Sequence, residues 1–285
     1  MVSLGVITIR AMQAFIINLD SAGDRWSFIQ ESFAGTHLQI RRIPALDGTA
    51  LRLPMQDFSE QRFRWFHGRM TNPREIGCYL SHIKAMRTFL DTSDDYGLIC
   101  EDDVVPDVGL EEILARAFGF SRHWNILRLS GLSKGTPLRA AKLCEGYDLC
   151  VSLGRLKGAG AYVVDRAAAL AFVSHLLPMW LPFDHAFDRE WFYGLRAAYI
   201  FPFPFLQTTG RFRLSIQKGK TAKQPSLRRW LTTYPYQVCN EMARWLFRGF
   251  SYLRMRHLTK RWSALSAVPS TTLRTSANHR YRVRN

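Results

Sequence analysis

Over its first two hundred positions the chain alternates short, wholly apolar runs with stretches in which apolar residues recur every third or fourth position. Ala14-Phe15-Ile16-Ile17-Asn18-Leu19 is a continuous run closed by Asp20, the pattern of a strand buried on both faces. Asp24 can cap a following helix whose apolar side is Trp26, Phe28, Ile29 and Phe33, and Leu38 to Ile43 reads as a second strand ended by Pro44. Together they make a βαβ unit, which implies a parallel sheet. After a polar, aromatic-rich connection from Asp47 to Arg69, Asn72-Pro73-Arg74-Glu75 opens a helix with Asn72 as N-cap and Pro73 at the first position. Its apolar face is Ile76, Leu80, Ile83, Met86 and Leu90. The buried strand Tyr96-Gly97-Leu98-Ile99-Cys100 then runs straight into Glu101-Asp102-Asp103.

The alternation continues with a helix over 109–119, a strand over 124–129, a Gly/Ser/Lys loop over 130–142 and a strand from Gly160 to Asp165. Helices over 166–177 and 185–196 and an apolar run from Ala198 to Phe203 complete one α/β domain, 13–210. Residues 1–12 read as a poorly ordered extension; Arg10 interrupts any signal-peptide core, and FIINL reads as a core strand. From Arg211 the character changes. A basic amphipathic helical region, 211–265, has Trp230, Val238, Met242, Trp245, Leu246, Phe250 and Leu253 alternating with Arg228, Arg229, Arg244, Arg248, Arg254 and Arg256, ahead of a disordered tail over 266–285.

Charge sharpens that division. The 285 residues carry a net charge of +16, yet residues 1–210 balance at 22 basic against 22 acidic, while 211–285 hold 17 Lys+Arg against the single acid Glu241. A hydrophobic content of 47% is enough for a sizeable core. No apolar run reaches the roughly 18 residues of a membrane span. The five cysteines show no C-x-x-C spacing, which favours a reducing, cytoplasmic setting and argues against a zinc site.

Carboxylates at the carboxyl end of a buried parallel strand lie where open α/β sheets place their ligands. In an extended segment residues i and i+2 face one way, so Glu101 and Asp103 can converge while Asp102 turns aside. Paired hard oxygen ligands suit Mg²⁺ or Mn²⁺, which take further ligands from substrate phosphates. The competing reading is that the triplet only caps the next helix or is solvated. A second acidic cluster, Asp184 and Asp188, has i, i+4 spacing on the expected helix, and either residue could be a general base; equally, Asp184 could be an N-cap and Asp188 an arginine partner. His82, beside the apolar face of the 73–90 helix, reads from the residues alone as a core or edge histidine.

Six blocks in order resemble glycosyltransferase family 25, the lipopolysaccharide and lipooligosaccharide glycosyltransferases related to collagen galactosyltransferases. They are Ile16-Ile17-Asn18-Leu19-Asp20 with Asp24-Arg25, Pro44-Ala45-Leu46-Asp47-Gly48, Glu75-Ile76-Gly77-Cys78-Tyr79-Leu80-Ser81-His82, Glu101-Asp102-Asp103, Gly158-Ala159-Gly160-Ala161-Tyr162 and Phe183-Asp184-His185. The resemblance implies a GT-A-like, mostly parallel sheet with flanking helices and an inverting transfer, often from UDP-galactose, onto a glycan or glycolipid acceptor. It further implies that Asp103 is a metal ligand, that Glu101 contacts metal or ribose, that Asn18, Arg25 and His82 lie on the donor side, and that Asp184 or Asp188 is the base. Ser21-Ala22-Gly23 and Ala159 depart from the family pattern, and nothing resembling the family covers 211–285.

The basic region suits the interface of an anionic bilayer, which would hold the enzyme peripherally on the cytoplasmic face of the inner membrane. Alternatively its aromatic side packs on the catalytic domain and leaves a solvated basic face. Nucleic-acid binding is the rival from another class, but it leaves both acidic clusters without a task. A non-catalytic glycan-binding member is the third reading.

Overall fold

Residues 12–208 and 226–266 are described by a computed structural model of the chain. The elements are β1 (Gln13–Asn18), α1 (Gly23–Phe33), β2 (Gln39–Pro44), α2 (Glu60–His67), α3 (Pro73–Leu90), β3 (Tyr96–Glu101), β4 (Val104–Pro106), α4 (Leu110–Phe118) and β5 (Ile126–Arg128). There follow β6 (Pro137–Cys144), β7 (Tyr147–Ser152), β8 (Ala161–Asp165), α5 (Arg166–His175), α6 (Phe183–Phe187), β9 (Ala197–Phe201), β10 (Phe205–Gln207), α7 (Ser226–Leu231) and α8 (Thr233–Ser266).

Eight strands form one sheet in the order β2-β1-β3-β8-β5-β9-β7-β6, and β4 pairs with β10 separately. The pairings run β1 parallel to β2 and β3, and β5 parallel to β9, with β8 antiparallel to β3 and β5 and β7 antiparallel to β9 and β6. Six strands therefore point one way and only β7 and β8 oppose them, the α/β, GT-A-like arrangement expected from the sequence.

Period-two alternation divides the sheet between two cores. Ala14, Ile16, Leu98, Cys100, Leu127 and Val163 face α1 and α4, whereas Phe15, Ile17, Ile99, Ile126, Tyr162 and Val164 face α3, α5 and α6. Helix α3 starts as its sequence predicts, with the Asn72 side chain accepting from the Arg74 N–H at 3.1 Å. It lies unusually close to the turn after β2. A Cβ on Gly77 would sit 2.5 Å from the Leu46 carbonyl oxygen, and one on Gly48 would sit 2.0 Å from that of Pro73. Both glycines are demanded by backbone contact, and Ser81 Oγ, which accepts from the Leu46 N–H at 2.8 Å, ties the same two segments.

Two stretches differ from expectation. The 130–142 loop contains most of β6, which pairs with β7 as a hairpin; its sequence PLRAAKLC begins with proline and is basic on its exposed side, so it mimics a loop. The helix expected over 185–196 is instead the short α6 and a 3₁₀ turn at Glu190–Tyr193. Residues 1–11, 209–225 and 267–285, where the extension, the domain junction and the tail were expected, lie outside the described residues.

The C-terminal helix packs against β6, β7, the Glu190–Tyr193 turn and α2. Its orientation reverses the packing alternative raised from sequence. Arg244 and Arg248 are buried, whereas Trp245 is 60% and Phe250 70% exposed.

Candidate active site

Strand β3 delivers the acidic run to the end of the sheet beside β1, with Glu101 in register with Ile17. The Glu101 N–H donates to the Gly160 carbonyl at 2.7 Å, which ends the ladder, and Asp102 and Asp103 make a turn into β4. The three carboxylates then part company. Asp102 accepts from Asn18 Nδ2 at 2.8 Å and from Arg25 at 3.0 Å, and Arg42 Nε donates to Asn18 Oδ1 at 2.8 Å. Burial raises the Asp102 pKa against the opposing pull of Asn18 and Arg25. Asp102 thus belongs to a closed structural network at the end of β1.

Asp103 is only 6% exposed. Its carbonyl accepts from the Thr208 N–H and hydroxyl, both at 2.9 Å, yet its Oδ1 is buried without a hydrogen-bond partner. Burial first, then the fields of Glu101 and Asp102, push its pKa up to about 7. An uncompensated carboxylate beside a second one is an arrangement that a divalent cation relieves, and oxygen donors of this kind fit Mn²⁺ or Mg²⁺. Among the described residues, the one cluster of three potential ligand side chains with converging atoms is Cys78, His82 and Glu101, all within 4.8 Å. Burial and the surrounding carboxylates hold the Cys78 thiol protonated, so Glu101 is the hard donor of that group.

His82 is fully buried, as the core reading of the residue expects, and reaches the acidic run through Glu101. Nδ1 lies 2.9 Å from Tyr162 Oη and Nε2 3.3 Å from Glu101, while the ring stacks on Phe183 with centroids 3.9 Å apart. It orients Glu101 from behind. Asn18 is likewise buried at 1% and reaches Asp102 rather than an open surface; Arg25 sits at the same point with its guanidinium partly accessible.

The second cluster also separates. Asp184, near the start of α6, is half-buried and accepts from the Gly158 N–H at 3.2 Å. Gly158 takes φ +83, so glycine is needed where the backbone turns that N–H toward the carboxylate. Asp188 is fully buried and meets Arg128 at 2.9 Å, Arg244 at 3.1 Å and Arg248 at 2.9 Å. Its Oδ1 accepts from Arg128 and Arg248, and its Oδ2, without a hydrogen bond, faces Arg244 Nε, so Asp188 is the arginine partner of the two sequence alternatives. Glu190, buried beside it, is held by Arg248 at 2.7 Å.

Glu75 is the residue that sequence reasoning passed over. Burial and the field of Asp184 raise its pKa, and Oε2 lacks a partner. Its place at the helix start explained it too readily. The signal was there: Glu75, Cys78 and His82 recur at i, i+3 and i+7 on one face of α3. Glu75, Glu101, Asp103 and Asp184 all act electrostatically on Cys78, so the four carboxylates bear on one stretch of α3. Carboxylates that share a neighbourhood in this way are the kind of group that holds a cation or accepts a proton.

Comparison with known proteins adds the family. A search of curated proteins returns no match. Among solved structures, the crystal structure of A197 from STIV is similar with a TM-score of 0.37 and 14% identity, over 66% of this chain and 81% of that one. The model of glycosyltransferase family 25 (LPS biosynthesis protein) matches residues 11–187, a span running from β1 through the acidic run to the last residue of α6. With more than half of the chain covered, including Glu75, Glu101, Asp103 and Asp184, this chain belongs to glycosyltransferase family 25 and is a glycosyltransferase.

Proposed function

We propose that the enzyme is an inverting, divalent-metal-dependent hexosyltransferase that moves a sugar from a nucleotide diphosphate, UDP-galactose being the first donor to test, onto a lipopolysaccharide-type or other surface-glycan acceptor. The observation that carries this reading is the buried, partnerless Oδ1 of Asp103 beside Glu101, with a pKa of about 7. Asp103 and Glu101 would hold Mn²⁺ or Mg²⁺, which supplies positive charge against the departing diphosphate.

The chain's own groups do the rest. His82 and the Gly160 carbonyl fix Glu101 from its side chain and backbone. Asn18 and Arg25 hold Asp102 and thereby the turn on which Asp103 sits. Asp184 is the base: it takes the proton of the acceptor hydroxyl as that oxygen bonds to the anomeric carbon and the bond from that carbon to the diphosphate oxygen breaks. Inversion follows from attack opposite the leaving group. An acceptor of this kind is presented at a membrane, so the enzyme would work peripherally on the cytoplasmic face of the inner membrane.

Thermal shift with UDP-, GDP- and CMP-sugars, each with Mn²⁺ and with chelator, tests the donor reading, since a ligand bound by the folded state alone raises the melting temperature. A UDP-sugar shift that needs Mn²⁺ and is absent in Asp103→Asn is expected. Equal shifts in chelator would refute the metal role.

A further inference from the structure

We infer that the outward face of α8 is the surface by which the enzyme sits on an anionic bilayer, an inference that rests on the membrane-presented acceptor proposed above. Helix α8 is amphipathic in the reverse of the usual sense. Its inward side carries Asn240, Arg244, Arg248, Ser251 and Met255, all buried. Its outward side carries Val238, Met242, Trp245, Leu246, Phe250 and Leu253, each between 57% and 76% exposed. At about 100° per residue these six span an arc of about 140°, opposite the buried arc. The same arc holds Cys239 and Gly249 and no charged residue between 238 and 253.

The helix cannot roll to cover this stripe. Arg248 is bonded to Asp188 and Glu190 and to the carbonyls of Ser152 and Gly154, and Arg244 to Asp188 and Glu241. Turning the apolar arc inward would leave buried Glu190 without its cation and buried Asp188 with Arg128 alone. A contiguous exposed apolar surface held open in this way calls for a partner from outside.

Charge selects the partner. Exposed Arg228 lies on the preceding helix, and exposed Arg254 and Arg256 lie at the far end of the stripe. The 211–285 segment holds 17 basic residues against one acid. A second copy of the chain seated on this face would bring two such segments together. An anionic lipid surface instead attracts them, and Trp and Phe suit the headgroup boundary. The stripe enters the bilayer edge and the flanking arginines meet phosphate, while the buried arginines on the opposite side of the same helix fix how the catalytic domain stands above it.

The test uses the full-length protein with vesicles of phosphatidylcholine alone or with phosphatidylglycerol, comparing wild type with the double variant Trp245→Glu/Phe250→Glu. Co-sedimentation with the anionic vesicles is expected to weaken by about tenfold or more in the variant, with its melting temperature and its turnover of a water-soluble acceptor unchanged. Unchanged vesicle binding overturns the inference. So does a wild-type dimer in sedimentation velocity that the variant dissociates, because the face would then serve a second copy. If no sugar donor is used by either protein but vesicle binding is lost in the variant alone, the surface stands and the donor reading fails.

Discussion

The two carboxylate clusters of this molecule lie at similar depth and have opposite charge balance. At the end of β3, Asp103 is buried beside Glu101 and Asp102 with one oxygen partnerless and a pKa of about 7. Beyond α6, Asp188 is more deeply buried still and its Oδ2 also lacks a hydrogen bond, yet three arginines surround it with positive charge. Burial works against the Arg248 charge, but Asp188 and Glu190 overcome it and hold its pKa above the ordinary value. Depth alone therefore does not mark a site. A buried acid surrounded by cations from its own chain serves the fold, and one left short of cations is the candidate for a ligand site. Asp184 lies between these extremes, half-buried and bonded by one backbone N–H.

The sharpest way to break this contrast is to neutralise one member of each kind. Asp103→Asn should abolish metal-dependent transfer, a fall of at least about 10³-fold, while leaving the melting temperature unchanged or raised, because a desolvated charge is removed. A stability loss with activity kept would invert the contrast. Asp184→Asn should lower kcat by about 10²–10⁴-fold with donor affinity retained, as measured by steady-state kinetics and donor titration; a rise in donor Kd alone would assign Asp184 to binding. On the other side, Arg248→Met leaves Glu190 without its cation and should cost about 3–5 kcal/mol in denaturant unfolding. A loss under about 1 kcal/mol would show that Arg128 and Arg244 suffice.

The smallest effect concerns pH. Asp103 must be ionised to bind a cation, and its raised pKa means it takes up a proton as pH falls through about 7. Mn²⁺ affinity should therefore be level above pH 8 and fall by up to about tenfold per unit below 7. Titration of the metal at pH 8, 7 and 6 checks this. A flat profile, or the same slope in Asp103→Asn, would assign the proton to another group.

Much of this was legible along the chain. The apolar runs at 14–19 and 96–100 became β1 and β3, the Asn72-Pro73 start became α3, and the acids after Cys100 lie at the strand end where ligands belong. These features are local, because strand burial, capping and strand termination are written in neighbouring residues. The β6 strand was hidden because its pairing with β7 and its half-exposed face leave a loop-like composition. Glu75 was hidden because a helix-start acid already had a sufficient local explanation.

By itself, the sequence determined the α/β alternation, the acidic run at the end of β3, and a neutral body joined to a basic segment. Only the tertiary structure decided which acid of each cluster is committed and which is open. It placed Asp188 against Arg128, Arg244 and Arg248, separated from it by 60, 56 and 60 positions, set His82 behind Glu101, and turned Arg244 and Arg248 of α8 inward and Trp245 outward. Periodicity identifies the faces of a helix, but which face docks depends on the charges it meets across the chain. Here two buried carboxylates outweighed an apolar stripe, because leaving Glu190 unpaired and Asp188 with Arg128 alone costs more than leaving that stripe exposed.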